Sequence, residues 1–185
     1  MILPIYAYGH SVLKKVGIEV DTQDENLPKL ISDMWETMYN AKGIGLAAPQ
    51  IGRSLRLFLV DTEQISSEED EEIGIKEVFI NPTILSEAGE TWAYEEGCLS
   101  IPKLTGDVER LEEVTIEYID SNLEKQTNTF KGMNARVIQH EYDHVEGVLF
   151  TERLKPLKKR MITRKLDHIR KGKIEVAYKM KFKKT

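Results

Sequence analysis

A chain of 185 residues, 41% of them hydrophobic, has enough apolar material for one core, and its lone cysteine, Cys98, rules out an internal disulfide. No apolar run approaches the ~20 residues of a membrane-crossing helix, and the opening MILPIYAYGHSVLKK has the order of neither a secretory signal nor a transit peptide. The expectation is a soluble cytoplasmic protein of one domain, residues 1–185. The formal net charge of −5 hides an asymmetry: residues 153–185 carry 14 Lys and Arg against Asp167 and Glu175, a net of +12. This basic extension is either a solvated helix face with its tail or a surface for nucleic acid or the ribosome.

In chain order, Leu27, Leu30, Ile31, Met34, Trp35 and Met38 recur at helical spacing, with Asn26 as N-cap, Pro28 in the first turn and Gly43 just past the end. The spacing predicts a helix over 27–42. GIGLAAPQ (43–50) then leads into LRLFLV (55–60), an apolar run suited to a buried strand. SSEEDEE (66–72) is too charged to pack and reads as an exposed loop. Short β-prone runs at 77–80, 91–94, 114–119 and 126–130 are separated by Asn-Pro, Gly, Ser-Asn and Lys-Gly turn signals.

A second helix over 134–146 places Met133, Val137, His140 and His144 on one stripe, with Gly147 as its stop. A third covers 156–170, Gly172 breaks it, and 174–178 alternates like a final edge strand. This order predicts an α+β fold: small antiparallel sheets around a central helix, flanked by an N-terminal and a C-terminal helix.

The sharpest chemical signal is HEYDH, His140 to His144. Two imidazoles four residues apart share a helix face and can grip one metal ion, and Glu141 can act on a water beside it. A catalytic centre needs a third protein ligand and an open position. The metzincin spacing would put a third histidine where Phe150 stands. His168 lies in a lysine-rich segment that serves a cation poorly; it reads as a surface or capping histidine, and His10 as a loop residue. Cys98 in GETWAYEEGCLSIP remains: alone it would be packing, but beside HEYDH it becomes a thiolate ligand. Glu96 is either a partner that orients a ligand or a surface carboxylate. GIGLAAPQ could imitate a dinucleotide-binding turn, but that needs a strand before it and a helix after it, the reverse of the order here. A nucleotide cofactor is therefore not expected, and its glycines suit a backbone that approaches an extended peptide. Two rival readings stay open: a zinc peptidase of H-E-x-x-H type, and a structural metal site in an RNA- or ribosome-binding module.

GIGLAAPQ (43–50), EGCLS (96–100) and QHEYDHVEG (139–147), in this order and approximate spacing, resemble the three signature motifs of the bacterial peptide deformylase family. The resemblance runs from the ILPI start to at least Phe150, with Val145 where leucine is commoner. It implies a hydrolase that removes the formyl group from the N-terminal methionine of nascent polypeptides and releases formate. It further implies that Cys98, His140 and His144 bind one divalent ion, natively Fe²⁺, with Zn²⁺ or Ni²⁺ found in preparations. Water on the ion would attack the formyl carbonyl, Glu141 would shuttle the proton, and the Gln50 amide and the Leu99 N–H would hold the oxyanion. Gly43, Ile44, Gly45, Met133 and Val137 are the residues expected to line the methionine pocket. Docking of the basic segment near the ribosomal exit tunnel is the last expectation the resemblance brings.

Overall fold

The structure, a computed structural model, describes residues 1–67 and 73–183. Its elements are β1 (Ile5–Tyr6), α1 (Leu27–Asn40), β2 (Gly45–Ala47), β3 (Leu57–Asp61), β4 (Lys76–Cys98), β5 (Ile101–Ile119), β6 (Lys125–Lys131), α2 (Gly132–Val145), α3 (Phe150–Arg153), α4 (Pro156–Arg170) and β7 (Met180–Lys181). Short 3-10 turns occupy Ser11–Lys14 and Ala48–Ile51. Strands β2 to β6 form one antiparallel sheet in sequence order, and β1 pairs with β7 in a separate parallel pair. The architecture is α+β, as the sequence predicts.

The apolar run in LRLFLV has a direct cause: both faces of β3 are covered. Leu57 and Leu59 join Met34 and Met38 of α1 on one side, while Phe58 and Val60 join Ala135, Val137 and Ile138 of α2 on the other. Phe79 anchors the second cluster, with its ring 4.7 Å from that of Phe58 and 4.3 Å from that of Tyr118. Truncating so buried an aromatic typically costs about 3–5 kcal/mol. A third cluster, from Ile101, Leu104 and Val108 of β5 to Ile162 and Ile169 of α4, ties the basic helix to the sheet.

Several expectations are corrected. The runs at 77–80 and 91–94 belong to one 23-residue strand, β4, which absorbs its turn-like residues as register shifts rather than ending at them. Asn81 takes φ 51°, and its side-chain amide bonds to both the N–H and the C=O of Val20. The sheet is therefore a single five-stranded unit with a long β4–β5 arm. Residues 174–178 form no strand; the final strand is Met180–Lys181, parallel to β1. Helix α1 ends at Asn40, and Asn26 sits at its N-cap position without a side-chain capping bond. Helix α2 starts two residues earlier than expected. Of the loop expected over 66–72, Ser66 and Ser67 lie outside any helix or strand, and 68–72 fall outside the described residues. Among the described residues no helix is long and apolar enough to cross a membrane.

Candidate metal centre

Helix α2 runs against the sheet, and Gly147, at φ 72°, ends its last turn where an added Cβ would lie 2.9 Å from the backbone of Lys14. His140 and His144, one turn apart, face the tip of the β4–β5 arm. There Cys98 closes β4 and pairs with Ile101 across the Leu99–Ser100 turn. The Cys98 Sγ lies 3.2 Å from His144 Nε2, and one ligand atom from each of Cys98, His140 and His144 falls within 4.8 Å of the others. A sulfur and two imidazole nitrogens converging in a buried place is a donor set suited to a borderline divalent ion. His168 is exposed on α4, and His10 packs against the Tyr6 ring; neither joins the cluster. Phe150, at the position where a metzincin would have its third histidine, stacks on the His140 ring.

Behind the ligands lies a network of buried charges. Glu96, 5% exposed, receives His140 Nδ1 at 2.9 Å, Arg110 Nε at 2.7 Å and Arg136 Nη1 at 3.0 Å. Burial alone would raise its pKa, but the hydrogen bonds from His140 and Arg110 outweigh that and hold the carboxyl far below the usual range. Its ionised form fixes Nδ1 of His140, which turns Nε2 toward the cluster. Arg110 also donates to Asp143 Oδ2 at 2.8 Å, Arg153 grips the same carboxylate, and Arg136 lies over Trp92 with its guanidinium 4.2 Å from the ring centroid.

Burial and the neighbouring charges of His140 and Arg110 push the His144 imidazole well below its ordinary value, so it is neutral and can offer a lone pair. His140 differs: burial opposes its charge, yet contact with Cys98 and Glu96 lifts it to about 10, so a cation seating here displaces a proton. Glu141 is buried, mainly by desolvation pushed up to about 7, and its Oε2 finds no hydrogen-bond partner among the described residues. Its carboxylate fits against Gly45, where an added Cβ would lie 2.4 Å from Oε1. Gln50 accepts the Ala47 N–H on Oε1 at 2.8 Å, which turns its Nε2 toward Cys98 Sγ at 3.5 Å and Ser100 Oγ at 3.4 Å.

In front of this cluster opens a cleft of about 560 Å³, where the structure brings Gly43, Ile44, Gly45, Met133 and Val137 together with Gln50, Cys98, Leu99, His140 and Glu141. Sequence reasoning missed Arg110, Arg136 and the segment 176–178. Arg110 and Arg136 stand singly in alternating or helical patterns where arginine reads as exposed, and only the depth of the arm buries them. Tyr178 and its neighbours Val176 and Ala177 reach the cleft from the basic segment, and no local motif marks them.

A sequence profile of the family described as polypeptide deformylase matches residues 2–160. A protein named peptide deformylase from Christiangramia forsetii is 53% identical over 98% of this chain and 96% of its own length. One of the same name from Flavobacterium johnsoniae is 50% identical over the same shares. Among solved structures, a peptide deformylase from Legionella pneumophila superposes with a TM-score of 0.81 at 41% identity, covering 94% of this chain and 98% of that one.

Proposed function

The chain belongs to the peptide deformylase family, enzymes that act on nascent formylated polypeptides, and from that premise we propose that Cys98, His140 and His144 form its reaction centre, one divalent ion holding all three. The single observation that carries this reading is the convergence of those three donors beside a buried Glu141 carboxylate, whose Oε2 has no hydrogen-bond partner among the described residues, at the foot of an apolar cleft. Residues 1–185 act as one catalytic domain, and residues 153–185 are its basic extension. The family resemblance favours Fe²⁺ as the native ion, with Zn²⁺ or Ni²⁺ in preparations. The bound ion supplies Lewis acidity that makes a water molecule acidic enough to attack near neutral pH.

The remaining chemistry belongs to side chains and backbone. Glu141 accepts the proton of the attacking water and returns it to the leaving amine, so formate and a free N-terminus depart. Gln50 Nε2 and the Leu99 N–H donate to the oxyanion; deleting one such donor elsewhere costs roughly 3 kcal/mol of barrier. Gly43 and Ile44 lead into β2, which Gly45 opens and which is one of the sheet's two edge strands, and an extended substrate adds there as one more strand. Met133 and Val137 receive the methionine side chain. The site of action is the cytoplasm, where nascent chains appear. The basic segment docks on the ribosome, a reading supported by the exposed Lys159, Arg160, Arg164 and Lys165 on α4.

Hydrolysis of formyl-Met-Ala, measured beside an unformylated peptide, tests the activity; equal cleavage of both would sink the assignment. Glu141→Ala is expected to keep its metal and lose nearly all turnover, and Cys98→Ala to lose both. Full turnover by Glu141→Ala refutes the proton shuttle.

A further inference from the structure

The Leu99–Ser100 turn carries a heavy functional load on unremarkable residues. It holds one proposed ligand, Cys98, and one proposed oxyanion donor, the Leu99 N–H. Yet it contains no glycine, proline or asparagine, and neither Leu99 nor Ser100 takes a positive φ. Such a turn owes its geometry to what clamps it from outside.

Besides the Gln50 Nε2 contact with Ser100 Oγ at 3.4 Å, three clamps hold the turn. The Leu99 side chain packs against Gly43, where an added Cβ would lie 2.8 Å from Leu99 Cδ1. The Ser100 carbonyl accepts the Tyr8 N–H at 2.9 Å. The third comes from the basic segment: the Tyr178 hydroxyl donates to the Leu99 carbonyl at 2.7 Å, across 79 positions of chain. Tyr178 is itself anchored. The Ile5 N–H bonds to the Lys179 carbonyl and the Ala7 N–H to that of Lys181, both at 2.9 Å, while Ile174, Met180 and Phe182 pack on the third cluster.

We infer that Tyr178 is a positioning residue for deformylation: by holding the Leu99 carbonyl, its hydroxyl fixes the torsions of Leu99 and so aims that residue's N–H at the developing oxyanion. The inference rests on the reaction proposed above. It gives the segment after α4, which a ribosome-docking role leaves without catalytic purpose, a share in the chemistry. The ring of Tyr178 lines the cleft, but the hydroxyl is committed to the protein backbone, so its loss acts on the turn before it acts on substrate.

Tyr178→Phe keeps the ring and removes the one hydrogen bond. With formyl-Met-Ala, kcat is expected to fall about five- to tenfold while KM stays within about twofold, since the net value of such a bond is roughly 1 kcal/mol. Hydrogen exchange at the Leu99 amide, read by NMR, is expected to quicken in the same variant, at unchanged metal content and nearly unchanged Tm. Lys181→Ala breaks the contacts of the same segment with Tyr6 and serves as control; its kcat should match wild type. Unchanged kcat and Leu99 exchange in Tyr178→Phe would overturn the inference. So would a rise in KM alone, which makes Tyr178 a substrate wall, or an equal loss in Lys181→Ala, which makes the effect general loosening. Wild-type protein that leaves formyl-Met-Ala intact removes the underlying reaction instead, and the exchange measurement still reports on the clamp.

Discussion

Gly45→Ala is the smallest change that reaches the proposed proton shuttle without touching it. Gly45 has no positive φ, so alanine brings no backbone strain, and the effect is purely one of space. The new methyl would lie 2.4 Å from Glu141 Oε1 and 2.9 Å from both Cδ and Cγ. Ordinary contact begins near 3.4 Å, so the carboxylate must retreat by about 1 Å. A misplacement of that size costs on the order of 100-fold in rate, or about 2.7 kcal/mol of barrier. The penalty to folding should lie nearer the low end of the roughly 1–3 kcal/mol range for overpacking, because a side-chain terminus rather than backbone gives way. Steady-state release of formate from formyl-Met-Ala gives the rate, urea unfolding the stability and elemental analysis the metal content, which should not change. A variant within threefold of wild-type kcat/KM would show that the fit between Gly45 and Glu141 does not control the reaction.

Two other perturbations probe the surroundings. Glu96→Ala strips a buried carboxylate from Arg110, Arg136 and His140 together, so unfolding free energy should drop by about 3–5 kcal/mol and metal affinity by roughly 10- to 100-fold; a loss under about 1 kcal/mol by urea denaturation would contradict the network described here. Reversing Lys159, Arg160, Arg164 and Lys165 to Glu should weaken binding to ribosomes and flatten its salt dependence while leaving hydrolysis of small formyl-peptides intact, and unchanged affinity in sedimentation assays removes the docking proposal.

The parts of the molecule legible in the sequence are those whose chemistry is local. His140, Glu141 and His144 lie within a single helical turn and a half, so their spacing alone aligns them. Helices α1 and α4 announce themselves through periodicity and punctuation. The β4–β5 arm did not, because Asn81-Pro82 and Gly89 carry the chemistry of turns, whereas here they sit in an extended strand that shifts register around them. Conversely, the true reversal at Leu99–Ser100 carries no glycine, proline or asparagine, and contacts from distant segments hold it. Glu96 reads two ways in the sequence because its burial depends on Arg110 from β5 and Arg136 from α2, partners that only the folded sheet brings beside it.

The candidate ligands that converge on one point are dispersed along the chain: Cys98 and His144 are 46 positions apart. During N-to-C synthesis the pocket for an ion therefore cannot exist until α2 has been made and has docked, and an unfolded chain offers only scattered, weak ligands. An ion that recognises the assembled arrangement alone acts as a latch on the native state, adding about 2.7 kcal/mol when its free concentration is a hundred times its dissociation constant. Scarcity of that ion would then be felt twice, as lost turnover and as a shorter lifetime of the folded enzyme.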